Sequence, residues 1–168
     1  WFYSHKIKKR PIIGNLVSAV LTITPFFAIF LYYKNFSSLI FVFGFYLFLI
    51  LSMRELVKDL SNLKGDLVLN YKTIPVIYGE IYAKLMILFL VLTNISVTSF
   101  LLLSYDLGHM DYFFCFSILL LSLVLLLLFK AHKHQQYSRI HSLLKLLVLL
   151  GVFSIMLLNP GLILSKIL

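Results

Sequence analysis

Residues Phe36–Asp66 read FSSLIFVFGFYLFLILSMRELVKDLSNLKGD. As far as Met53 the run is apolar and aromatic, with no charged side chain; beyond it Arg54, Glu55, Lys58, Asp59, Lys64 and Asp66 follow in quick succession. A helix needs roughly 20 apolar residues to cross a hydrocarbon core about 30 Å thick. The first half of the stretch meets that length, and the second half marks the edge of the layer. Barrel strands would alternate apolar and polar residues, and this run does not, so a helix that satisfies its own backbone is the reading.

The same pattern extends along the chain. Apolar spans are expected at about Ile12–Tyr33, Phe36–Met53, Tyr82–Ser104, Tyr112–Phe129 and Leu143–Leu164, with a proline kink at Pro25 in the first. The composition agrees: 61% of the 168 residues are hydrophobic and 12% are charged, against about 25% charged in an ordinary soluble domain, and mean hydropathy is +1.01. The fold class is all-α, a polytopic transmembrane helical bundle with five spans, treated as one unit over residues 1–168. The single Cys115 lies in the apolar run FFCFSILLL and reads as a small hydrophobe. The chain opens WFYSHKIKKRP, without an initiator Met or the order of a signal peptide, and is expected to be part of a longer protein.

A net charge of +9 in a soluble protein would raise the question of nucleic acid. Here the basic residues fall in short loops between apolar spans, so no nucleic-acid partner is expected. All the lysines and arginines except Lys34 and Lys166 lie before the first span, in or at the edge of the loop between the second and third (Lys84 included), or in or at the edge of the loop between the fourth and fifth (Lys145 included). The positive-inside rule places those three segments in the cytoplasm and the C-terminus outside.

The segment from Met53 to Glu80, MRELVKDLSNLKGDLVLNYKTIPVIYGE, is long for a simple turn. If the second helix continues beyond the membrane, Asp59, Asn62 and Asp66 share roughly one face, being three and seven residues apart. Side-chain oxygens so placed suit Mg²⁺, which takes one or two carboxylates and completes its shell with water and substrate phosphates. Lys58, Lys64 and Lys72 stand close enough to neutralise a polyphosphate, and Gly65 would let the backbone turn before Asp66. The competing reading is a solvated loop in which Asp59 pairs with a lysine and nothing binds. His132, His134 and His141 lack a metal-ligand spacing and read as a solvated basic loop; Asp106, His109 and Asp111 read as a connector on the other face.

The segment Arg54–Gly79 resembles the second aspartate motif of the UbiA-type membrane prenyltransferases, of the form RE, KDxxDxxGD, then KTLPVxxG. Asp59, Gly65, Asp66, Lys72, Thr73, Pro75 and Gly79 stand in the matching places. Upstream, YSHKIKKRPIIGN is similar to that family's YSxxLKRxPxxGN segment. The resemblance implies helices five to nine of a nine-helix bundle, in a bacterial inner membrane with the motif loop cytoplasmic. It implies a Mg²⁺-dependent transfer of a prenyl group from its diphosphate to a membrane-accessible acceptor: a quinone precursor, a glycerol phosphate or a pigment-type ring. On that likeness Asp59 and Asp66 are the catalytic acids. Asp59, Asn62 and Asp66 are the metal ligands, Asn62 standing where the family often has Asp. Lys72, Tyr3, Lys8 and Lys64 are diphosphate contacts, and Asn15 either lines the pocket or joins helices. The family's first aspartate motif, NDxxDxxxD, does not occur in these residues, so helices carrying it are an expected partner and the chain alone is expected to be inactive. A reading from another class is a non-catalytic lipid-binding or carrier protein whose basic face holds anionic headgroups. No acidic or basic residue falls in the middle of a span, which counts against ion-coupled transport.

Overall fold

A computed structural model of the chain describes residues 11–32, 34, 37–105, 107–108 and 110–154. Among these the elements are all helical: α1 (Pro11–Tyr32), α2 (Ser38–Ser61), α3 (Leu63–Val68), α4 (Ile74–Tyr78), α5 (Glu80–Ser104), α6 (Met110–Lys130) and α7 (His134–Ser154). Five of them, α1, α2, α5, α6 and α7, are long and apolar enough to cross a membrane, and the chain is an integral, multi-pass membrane protein. The connecting α3 and α4 are short.

The long helix α2 organises the bundle, packing against α1, α5 and α7. Its buried residues Tyr46, Leu49, Ile50, Met53, Leu56, Val57 and Leu60 recur at helical spacing. That stripe does not stop where the charges begin, so the helix runs past the expected end at Met53, through Asp59, to Ser61. The seventh helix differs in the same way. It begins at His134 rather than near Leu143, because Tyr137, Ile140, Leu144, Leu147 and Gly151 form one buried stripe and the polar residues between them face outward. The expected continuation to Leu164 lies outside the described residues beyond 154, and α1 runs helically across Pro25.

Close approaches lock the bundle. Tyr46 stacks on Phe43 with ring centroids 5.7 Å apart and meets Phe114 edge-on at 5.4 Å, geometries that aromatic quadrupoles favour. Its hydroxyl hydrogen-bonds Ser117 Oγ at 2.7 Å, joining α2 to α6. Asn94, fully buried on α5, donates from Nδ2 to the Tyr46 carbonyl at 3.0 Å. A Cβ added at Gly151 would stand 3.3 Å from Leu47 Cδ2 and from the Phe113 ring, so glycine is what lets α7 lie so close to α2. Cys115 lies on the exposed face of α6 instead of in the core. In a bilayer that face meets lipid tails, so the residue remains in apolar surroundings.

Two connections depart from simple turns. Asn62 separates α2 from α3 with φ −96 and ψ 8, yet its backbone N–H still reaches Lys58 O at 3.0 Å. Gly65 is helical within α3, so the turn expected there does not occur. The chain reverses instead at Asn70, φ 52, where the Tyr71 N–H bonds Asp66 O at 2.9 Å; Asn tolerates this left-handed backbone better than most residues. Gly79, φ 88, ends α4 and starts α5 in a conformation that suits glycine.

Candidate functional site

Three segments meet where α2 leaves its most apolar stretch: the start of α1, the α2–α3 junction, and the extended residues before α4. They enclose a cavity of about 170 Å³ lined by Pro11, Gly14, Asn15, Ser18, Glu55, Lys58, Asp59, Asn62, Asp66, Lys72 and Thr73. Asp59, Asn62 and Asp66 therefore face one space, as their three- and seven-residue spacing requires, although they belong to two helices and the residue between them. Lys72 faces the same space from the segment before α4.

Two of the lining groups are buried and unsatisfied. Asn15 is 9% exposed and Thr73 is 7% exposed, and neither Asn15 Nδ2 nor Thr73 Oγ1 has a hydrogen-bond partner among the described residues. A buried polar group without a partner costs about 1–3 kcal/mol. Both can donate a hydrogen bond, so an anion in the cavity would satisfy them. Of the expected alternatives for Asn15, it lines the pocket. Lys58 is held by Glu55 at 3.1 Å, whereas Lys72 has no ion-pair partner among the described residues.

Lys64 lies elsewhere. It lines a neighbouring cleft that shares only Asn62 and Asp66 with the first cavity. The reason is angular: Lys64 is two residues from each of them, about 200° around a helix. Tyr3 and Lys8 fall outside the described residues. Glu55, Ser18 and Thr73 were not among the expected site residues. Glu55 precedes Asp59 by four positions, one helical turn, which was a readable signal.

Among the described residues no three His, Cys, Asp or Glu side chains gather as a ready metal site. A cation held by three or more protein carboxylates or imidazoles is therefore a poor match. Mg²⁺ asks for less, since it binds through one or two carboxylates and leaves the remaining positions to water and phosphate. Asp59, Asp66 and the Asn62 carbonyl are the groups that could hold such an ion, and Lys72, Asn15 and Thr73 line the same cavity with groups that donate. The cavity is suited to a divalent cation carried with a polyphosphate.

His134 and His132 are exposed, as a solvated loop predicts, but His134 Nδ1 also contacts Ser61 O at 2.5 Å. His141 is not a loop residue: it sits within α7, half-buried, with Nδ1 unpartnered among the described residues.

The UbiA prenyltransferase family matches residues 1–153 of the chain. A digeranylgeranylglyceryl phosphate synthase of Thermococcus sibiricus is 31% identical over 159 residues, covering 94% of this chain and 56% of its own. Proteins of the same name from Methanosphaera stadtmanae and Thermococcus gammatolerans are 39% identical over 77 residues and 29% identical over 155. These cover 46% and 92% of this chain, and 28% and 55% of their own. The chain spans about half the length, or less, of these curated relatives. No solved structure matches it.

Proposed function

Because the chain belongs to the UbiA prenyltransferase family, we propose that it serves a Mg²⁺-dependent transfer of a prenyl group from a prenyl diphosphate to a lipid acceptor. The observation that carries this reading is the single cavity in which Asp59, Asn62 and Asp66 face Lys72 and two buried donors without partners, Asn15 and Thr73. A charged diphosphate fits that cavity at the end of the apolar bundle, and its oily tail fits the helices beneath.

Mg²⁺, when bound, neutralises charge on the diphosphate and so favours ionisation of the allylic C–O bond. The chain's own part is to hold the departing group. Asp59 and Asp66, with the Asn62 carbonyl, would hold the cation; Lys72 would oppose the remaining phosphate charge; Asn15 Nδ2 and Thr73 Oγ1 would donate to phosphate oxygens. Donors fixed before the bond breaks stabilise the developing charge without reorganisation. A groove of about 380 Å³ between α1 and α2, walled by Phe27, Phe41, Phe45 and Phe48, runs along the same pair of helices and is an apolar place for the tail. Burying the reacting carbon keeps water from capturing the cation.

The relatives' shared name points to an acceptor built on glycerol phosphate, ahead of a quinone precursor or pigment ring. NDxxDxxxD is absent from the 168 residues, so catalysis in this reading also needs helices that carry that first motif, and the chain alone binds without turning over. The motif side faces the cytoplasm. The test is geranylgeranyl diphosphate binding to the protein in detergent, with and without Mg²⁺, for wild type and for Asp59→Ala with Asp66→Ala. Mg²⁺-dependent binding that the double variant loses is the expected result. Binding indifferent to both would sink the site assignment.

A further inference from the structure

The cleft that Lys64 lines is separate from the diphosphate cavity except for the wall of Asn62 and Asp66 that the two share. It has a volume of about 610 Å³ and lies between the α2–α3 junction and the turn that joins α6 to α7. We propose that it binds the phosphate monoester group of an amphiphile seated at the membrane edge.

Its charged groups favour an anion. Lys64 enters from α3 and Lys133 from the opposite turn, and neither has an ion-pair partner among the described residues. His132 and His134 stand beside Lys133. Of the two carboxylates in the wall, Glu80 is already paired with Lys84 at 2.9 Å, and Asp66 is shared with the first cavity. What remains is two ammonium groups without an ion-pair partner among the described residues, brought to one cleft from separate segments against the single carboxylate of Asp66, a balance that favours an anion with several acceptor oxygens.

The wall carrying Lys133 is held in place. Gln136 Oε1 accepts from the backbone N–H groups of His132 and Lys133 at 2.8 and 3.0 Å, and His134 Nδ1 reaches across to Ser61 O. Lys84 Nζ and the Tyr137 hydroxyl both donate to Ala131 O, at 2.7 and 2.9 Å. The backbone of the turn is therefore fixed before binding, and only the exposed Lys133 side chain has to be ordered. Leu60, Leu63 and Leu69 line the same cleft, so an apolar chain attached to the phosphate would also find contact. A bulk lipid headgroup and a prenyl acceptor share this chemistry. The acceptor source rests on the prenyl-transfer reading and draws on the shared Asn62 and Asp66 wall; the lipid source is independent of it.

The experiment titrates glycerol phosphate against the protein in phosphatidylcholine nanodiscs, followed by ³¹P NMR. Wild type is compared with Lys64→Gln plus Lys133→Gln, with Lys64→Arg plus Lys133→Arg, and with Asp59→Asn plus Lys72→Gln. Circular dichroism confirms the helix content of each. The glutamine pair is expected to weaken binding about tenfold, the arginine pair to restore it, and the Asp59 and Lys72 pair to leave it within about twofold. Equal weakening by both neutral pairs, or none by the glutamine pair, overturns the proposal. Repeating the titration in nanodiscs with about a quarter phosphatidic acid separates the sources: loss of glycerol phosphate binding there assigns the cleft to a resident lipid, and retention assigns it to the acceptor. If Mg²⁺–geranylgeranyl diphosphate binding ignores Asp59 and Lys72 while glycerol phosphate still needs Lys64 and Lys133, the prenyl-transfer reading fails and the cleft stands.

Discussion

Replacing Lys84 by Met tests how the α6–α7 turn is held. Lys84 is 8% exposed. Its ammonium donates to Ala131 O at 2.7 Å, pairs with Glu80 at 2.9 Å and lies 5.6 Å from the centre of the Tyr137 ring. Met keeps most of the stem volume, so the cost comes from the charge and not from a cavity. Removing one partner of a fully buried pair costs about 3–5 kcal/mol, and an exposed pair is worth about 0–1 kcal/mol. The Glu80 side chain is 35% exposed, and the Tyr137 hydroxyl can still give its one proton to Glu80 or to Ala131 O, so the expected loss lies between those limits, about 2 kcal/mol. For a chain of this size that is a fall of about 4–8 °C in Tm, measured by thermal unfolding in detergent. In a Glu80→Gln background the same substitution should cost about 1 kcal/mol less, because no carboxylate is left unpaired. A shift below about 1 °C, or equal costs in both backgrounds, would refute the view that the half-buried Lys84–Glu80 pair anchors the turn.

Asn15→Leu and Thr73→Val should each leave stability within about 0.5 kcal/mol, since the groups removed have no partner among the described residues. Each should weaken Mg²⁺-dependent diphosphate binding about tenfold by isothermal titration, the loss of one hydrogen bond to a charged ligand. Tyr46→Phe breaks the bond to Ser117 that joins α2 to α6 and should cost about 1 kcal/mol, read as reduced resistance to denaturation. Gly151→Leu forces side-chain atoms against Leu47 and Phe113 and should cost about 1–3 kcal/mol, seen as a lower Tm, with an Ala substitution intermediate.

The helices were readable because a membrane span is announced by hydropathy alone, and the four expected spans that fall wholly within or next to described residues are present. Helix ends were harder to place. Past Met53 and before Leu143 the outward residues are polar, and only the buried stripe, Leu56, Val57 and Leu60 in one case and Tyr137 and Ile140 in the other, shows that the helix continues. The shared face of Asp59, Asn62 and Asp66 followed from spacing. The same arithmetic sets Lys64 on the far side, a step that proximity in sequence obscured. Lys84 counted as one more loop charge, although it is a buried clamp; charge tallies carry no information about where an ammonium points. Asn94 attracted no notice because an amide is not charged, yet it ties α5 to the α2 backbone in the bundle core. Thr73 and its unsatisfied hydroxyl could be recognised only once α1 and the α4 segment had been brought together.

The unbroken course of α2 sets limits on how the gene can change. Between the aromatic layer at Tyr46 and the carboxylate of Asp59 there is no turn to absorb a length change, and at 1.5 Å per residue the two are held about 20 Å apart along one axis. Inserting a single residue after Met53 would rotate Asp59 by about 100° out of the cavity wall. Inserting four would nearly restore its direction but carry it about 6 Å further out along the axis, away from Asn15 and Thr73. Tolerated insertions should therefore collect at the Asn70 reversal or in the turn after Tyr105, where added residues bulge outward, whereas α2 should accept substitutions without accepting a change of length.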